Sequence, residues 1–166
     1  MKIGIVYYSR TGNTKQVAQT LETKLKEKNA DVDLIEIEHV KRPGFFTAGG
    51  AASKQRELPM KNTDFDLGKY DLIIAGTPTW AGNPSPFITY FMKKAVNIKG
   101  KKVAVFATGM SPIDKRDRFI GIMRTTLDQV GVKMAGSPLL VQFGRDTLKD
   151  GGQNIDSFVE NVLKTK

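Results

Sequence analysis

The sequence predicts an α/β fold: a doubly wound, five-stranded parallel sheet in the order 2-1-3-4-5, with helices on both faces. Two observations lead there. Short apolar runs of the kind seen in strands buried on both faces alternate with segments whose apolar residues recur at helical spacing. The links between them are of turn length except at residues 38–70. Such alternation calls for parallel pairing through right-handed crossovers.

Residues 2–8, rich in Ile, Val and Tyr, form the first strand. Val17, Ala18, Leu21 and Leu25 then mark one face of a helix that starts near Asn13 or Thr14, both suited to capping. Residues 32–37 mix apolar side chains with acids, as an outer strand does, while 72–76 and 103–107 are continuous apolar runs, the third and fourth strands. A helix over 87–96 follows Pro84 and Pro86, and one over 117–130 carries Phe119, Met123 and Leu127 before stopping at Gly131. Residues 139–141 supply the fifth strand; Ile155, Phe158, Val159 and Val162 mark a closing helix. Within the long link a helix is expected between Ala48 and Leu58, and a connection of that length suits a functional or interaction surface. With no repeat or linker, residues 1–166 read as a single domain.

Composition narrows the chemistry. The chain has no cysteine, so disulfides, thiolate nucleophiles and thiolate-held clusters are excluded; with His39 the sole imidazole, no metal site is expected. Redox chemistry would therefore need an organic cofactor. No apolar run approaches the roughly 20 residues of a membrane span, and the N-terminus lacks a signal peptide's apolar stretch, so the expected location is cytoplasmic, away from membranes. The net charge of +9 favours anionic ligands and acidic protein partners. Nucleic acid is set aside because no surface interleaving aromatic and basic residues can be read. No catalytic residue is assigned: His39 reads as a surface residue, and Asp64 and Asp66 as turn formers.

In doubly wound sheets ligands lie beyond the carboxyl ends of the strands, where the strand order reverses. Three loops fall there. After the first strand, Ser9-Arg10-Thr11-Gly12-Asn13-Thr14 leads straight into a helix, combining hydroxyls, an amide, a glycine and a helix N-terminus that carries about half a positive charge. This is a phosphate cradle, and it lacks the spacing of a Walker A loop or a Gly-x-Gly-x-x-Gly turn. After the third strand comes Thr77-Pro78-Thr79-Trp80-Ala81-Gly82-Asn83, with the only tryptophan of the chain, a stacking surface for a planar ligand. After the fourth comes Thr108-Gly109-Met110. A ligand with a phosphate at one end and a flat ring at the other would touch all three.

These motifs, in this order, resemble those of the flavodoxins and flavodoxin-like FMN-binding proteins over essentially the whole chain. The resemblance implies that Ser9, Arg10, Thr11, Gly12, Asn13 and Thr14 surround the FMN phosphate. It places Trp80 against the isoalloxazine, with backbone groups around Thr79, Ala81 and Gly82 at its polar edge and Thr108 and Gly109 on its other side; Thr77, Pro78, Asn83 and Met110 are expected to complete the cofactor-binding set. It implies an electron carrier working between redox enzymes, as a monomer or weak homodimer; the alternative is an FMN-dependent NAD(P)H oxidoreductase acting on quinones or flavins. Two departures stand out. Met110 or Ser111 occupies the stretch where many flavodoxins stack a tyrosine, and the chain is basic where they are commonly acidic. Lys41, Arg42, Lys115, Arg116 and Arg118 should lie on the flavin side, favouring the reduced cofactor and an acidic partner, whereas Lys93, Lys94, Lys99, Lys101 and Lys102 should lie at the opposite edge. Phe45 and Phe46 are expected to pack on the sheet or in a dimer contact.

Overall fold

The structure is a computed structural model that describes residues 1–62 and 65–165. Strands β1 (Lys2–Tyr7), β2 (Asp31–Glu36), β3 (Leu72–Trp80), β5 (Lys102–Gly109) and β6 (Leu139–Phe143) pair in parallel in the order β2-β1-β3-β5-β6. This is the expected order, with the fourth and fifth predicted strands becoming β5 and β6. Two short antiparallel pieces join them: β4 (Asn83–Pro84) folds back on β3, and β7 (Leu148–Asp150) flanks β6. At two and three residues they are too short to show a period in sequence.

Successive strand residues face opposite sides of the sheet and feed two apolar layers. Val6, Ala75 and Val105 pack toward α3 (Pro86–Lys94) and α4 (Asp117–Gln129). Ile5, Ile74 and Ala104 pack toward α1 (Asn13–Glu27) and α5 (Ile155–Lys164). Burial on both faces explains why the central strands read as unbroken apolar runs.

The long link departs from expectation. Its helix α2 is Phe45–Ser53, starting and ending earlier than the predicted 48–58. It stops because Gln55 turns to φ 48° and its side-chain amide donates to the Ala52 carbonyl at 2.7 Å. The excursion is pinched at its base, where the Val40 N–H donates to the Pro59 carbonyl at 3.1 Å and the Lys61 N–H to the Glu38 carbonyl at 2.8 Å. Asp66 forms a turn as expected, accepting from the Gly68 N–H at 2.8 Å and from Asn97 at 2.7 Å; Asp64 lies outside the described residues. No described helix is long and apolar enough to cross a membrane.

Phe91 is fully buried in the α3 layer, edge-on to Phe65 with centroids 4.7 Å apart. Phe91→Ala leaves a cavity and is expected to lower stability by about 3–5 kcal/mol, read from urea unfolding midpoints at unchanged slope.

Candidate functional site

The carboxyl ends of β1, β3 and β5 lie side by side, with Tyr7 opposite Gly76 and Gly76 opposite Phe106. Beyond β1 the chain turns at Gly12, whose φ of 103° is a left-handed conformation, and enters α1. The Ser9 hydroxyl accepts from the N–H groups of Gly12 at 3.1 Å and Lys15 at 3.3 Å, which shapes the loop. The first turn of α1 holds no acidic residue, so the positive end of the helix dipole is not neutralised. Thr14 is buried and shares a 2.8 Å hydroxyl hydrogen bond with Thr108, joining the first loop to the third. Asn13 donates to the Arg145 carbonyl at 3.0 Å, bringing in the loop after β6, which the sequence reading missed. Arg10 is drawn aside: its Nε donates to the Pro43 carbonyl at 3.3 Å and its guanidinium lies 5.9 Å from the Phe45 ring centre.

The second loop is a two-residue hairpin between β3 and β4. Ala81 (φ 48°) and Gly82 (φ 75°) occupy its tip, and Asn83 secures it by donating to the Ala81 carbonyl at 2.7 Å. Trp80 is half-buried and stands edge-on to Tyr8 at 5.6 Å, while Tyr8 stacks on Phe87 at 4.1 Å. The Tyr8 hydroxyl is buried with no hydrogen-bond partner, and burial pushes its phenol up to about 12. Thr77 points inward and accepts from the Ser85 N–H at 3.1 Å. Ser9, Thr77 and Asn83 are thus engaged within the protein, where they hold the shapes of the first two loops.

In the third loop a Cβ on Gly109 would collide with the Thr79 hydroxyl, so glycine lets that hydroxyl keep its place against the third loop. That hydroxyl donates to the Thr108 carbonyl at 3.2 Å. Beneath the loop lies Arg116, only 2% exposed. Its guanidinium donates to the carbonyls of Ala107 (3.3 Å), Gly109 (3.1 Å), Ser111 (2.9 Å) and Val141 (3.1 Å). Burial pushes its pKa down to about 10, still well above neutrality. The expectation that Arg116 faces a partner, like exposed Lys115 and Arg118, is therefore corrected.

Together the loops enclose a cleft of two adjoining compartments. One, of about 300 Å³, is lined by Thr11, Asn13, Thr14, Pro78, Thr108 and Gly109; Arg145 and Asp146 also border it. The other, of about 260 Å³, is lined by Ala48, Gly49, Ala81, Gly82 and Ser111. Arg10, Phe45, Thr79, Trp80 and Met110 border both. One end thus offers hydroxyls and a helix N-terminus, the other apolar walls beside an indole. This donor set fits an anionic phosphate joined to a planar ring. Phe45 and Met110, which border both compartments, and Phe46, edge-on to Phe45 at 6.0 Å, are exposed by 73%, 72% and 91%, so the two phenylalanines do not pack on the sheet, the first of their two expected places. Gly44 opens α2 so that both fall in its outward first turn.

The family described as NADPH-dependent FMN reductase matches residues 1–115, which carry all three loops. The chain belongs to that family. Its cofactor is FMN, and it is a flavodoxin-like FMN-binding protein. It is 26% identical over 159 residues to a flavodoxin of Maridesulfovibrio salexigens, covering 91% of this chain and 94% of that one. The fold matches oxidised flavodoxin 2 of Bacillus cereus with a TM-score of 0.68 at 24% identity, over the full length of both. A Lactobacillus acidophilus flavoprotein in complex with FMN matches with a TM-score of 0.66 at 24% identity, over 82% of this chain and 91% of that one.

Two expected outcomes follow from this geometry. Gly109→Ala should force the loops apart, cost about 1–3 kcal/mol of stability and weaken FMN binding at least tenfold in a fluorescence titration. Gly121, exposed on α4 with nothing within 4 Å of an added Cβ, is the control: Gly121→Ala should stabilise by about 0.5–1 kcal/mol. Tyr8→Phe removes the unpartnered hydroxyl and should be neutral or slightly stabilising. Above pH 10 the unfolded phenol ionises while the folded one holds its proton to about pH 12, so stability falls across that window. Tyr8→Phe should flatten the fall, as read from urea midpoints at pH 9, 10 and 11.

Proposed function

We propose that this chain is an electron carrier that holds FMN and passes electrons between larger redox proteins. The carrying observation is exposed Phe45 and Met110 on the border of the compartment beside Trp80, with exposed Phe46 edge-on to Phe45, an apolar rim that suits docking by a protein partner. FMN, when bound, supplies reversible one- and two-electron chemistry. The chain's own part is to hold and orient. The N-terminus of α1 with Thr11 and Asn13 receives the phosphate end. Trp80 offers its face to the ring, held by Tyr8 and Phe87. Gly109 lets the third loop close on Thr79, and the apolar walls beside Trp80 exclude water. Exposed Lys41, Arg42, Lys115 and Arg118 attract an acidic partner and steer its approach. The second reading, an FMN-dependent NAD(P)H oxidoreductase, is favoured by the family description and by exposed Met110, which leaves the second compartment open to a small substrate.

Anaerobic reduction distinguishes the two. The FMN-loaded protein should be reduced readily by dithionite and only slowly by NADH or NADPH. Rapid reduction by either nicotinamide would overturn the carrier and establish the oxidoreductase. With an acidic ferredoxin as acceptor, the carrier's electron-transfer rate should fall as salt rises. Phe46→Ser should slow that transfer several-fold at unchanged FMN affinity.

A further inference from the structure

Arg116 differs from the other charged residues near the cleft. Among the described residues it is the only buried charged side chain; the other buried polar residues are Thr, Ser or Asn. No carboxylate pairs with it there, although Asp114 and Asp117 are its near neighbours in sequence. All four of its acceptors are neutral carbonyls, three of them in the segment 107–111 that forms one wall of the cleft. Its Nη2 comes within 3.4 Å of where a Gly109 Cβ would sit, and Gly109 lines the cleft. One backbone layer therefore separates a full positive charge from the space that the phosphate cradle and Trp80 share. Water and salt, which weaken surface charges, have little access to it.

We propose that Arg116 is a positioning residue with a second, electrostatic effect: it staples the 107–111 loop into its cleft-lining shape, and its uncompensated charge favours the reduced, more negatively charged form of the bound cofactor. Two-electron reduction adds two electrons with at most two protons, so any net gain of negative charge at the ring is stabilised by a fixed cation behind the wall. Hydrogen bonding to the four carbonyls spreads this charge without cancelling it, because dipoles supply no net countercharge. The exposed bases act differently, since their fields are screened at high salt.

The inference rests on FMN as cofactor and stands whether the protein is a carrier or a reductase. Three variants separate charge from shape. Arg116→Gln keeps some donors and removes the charge, Arg116→Met fills the volume with a neutral chain, and Arg116→Lys keeps the charge with altered donors. Each is loaded with FMN and characterised by its oxidised-state dissociation constant, its urea midpoint and its two-electron midpoint potential at low and high salt. Gln and Met should make the reduction equilibrium at least tenfold less favourable, a shift of about 30 mV to more negative potential. Lys should stay within about twofold of the native constant, even where FMN binds less tightly through a loosened loop. The Gln and Met shifts should persist at high salt. The electrostatic effect is overturned if the neutral variants bind FMN with potentials within twofold of the native equilibrium, or if Lys shifts as far as Gln and Met. If Gln does not fold, Met and Lys decide between these outcomes. Failure of the native protein to bind FMN would instead overturn the flavin assignment, which the first titration shows before any variant is made.

Discussion

The site depends on one constraint, the parallel register of β1, β3 and β5. Pairing places Tyr7, Gly76 and Phe106 in one row, so the chain leaves all three strands at the same edge. The polar ends of the three loops then fall within hydrogen-bonding distance of one another. Thr14 meets Thr108 across 94 residues, and Thr79 meets the Thr108 carbonyl across 29. A one-residue slip in β3 would turn its buried side chains to the opposite face and carry Trp80 off the cleft. Burial on both faces forbids the slip, because two apolar layers would have to repack at once.

The same edge carries a local cost. Removing a guanidinium from water is opposed by several kcal/mol, and no ion pair offsets this for Arg116. Contacts from Nη1 and Nη2 to four carbonyls, with the two hydrogens of Nη2 shared among three of them, offset part of this cost, while Nε is buried without a partner. Those bonds exist only when the 107–111 segment and β6 wrap the side chain, so its burial is tolerated only in this arrangement. The turn at the end of β5 thereby acquires a single shape.

Much of this was legible in the sequence because its cause is local. Helical spacing in Val17, Ala18, Leu21 and Leu25 and apolar runs at 72–76 and 103–107 reflect burial along each element. Gly12 and Trp80 announce a glycine-led phosphate loop and a flat surface by residue type alone, while the close approach at Gly109 emerges only when the second and third loops meet. What stayed hidden is tertiary. Arg116 reads like Lys115 and Arg118, and only the arrival of the Val141 carbonyl, 25 residues on, encloses it. Phe45 and Phe46 look like core residues; their exposure is decided by where α2 begins. Arg145 and Asp146 reach the cleft through a turn held by the 2.7 Å bond from the Gly144 N–H to the Thr147 carbonyl, which leaves no periodic trace.

The placing of charge bears on how such a basic protein handles an anionic cofactor and a partner at once. Among the described residues every ion pair is made by a lysine, and several of the carboxylates lie along β2 and its neighbours, as in Lys2 with Asp31, Lys69 with Asp33 and Lys15 with Glu36. Exposed pairs of this kind contribute little to stability and weaken with salt. The arginines at the cleft, Arg10, Arg116 and Arg145, have no carboxylate partner among the described residues, so positive charge without an ion-pair partner borders the site where the strands end. Arg10 and Arg145 meet solvent and act on what approaches; Arg116 is sealed and acts on what is already bound. A surface field and a buried field can thus be tuned separately, because changing one leaves the dielectric around the other intact.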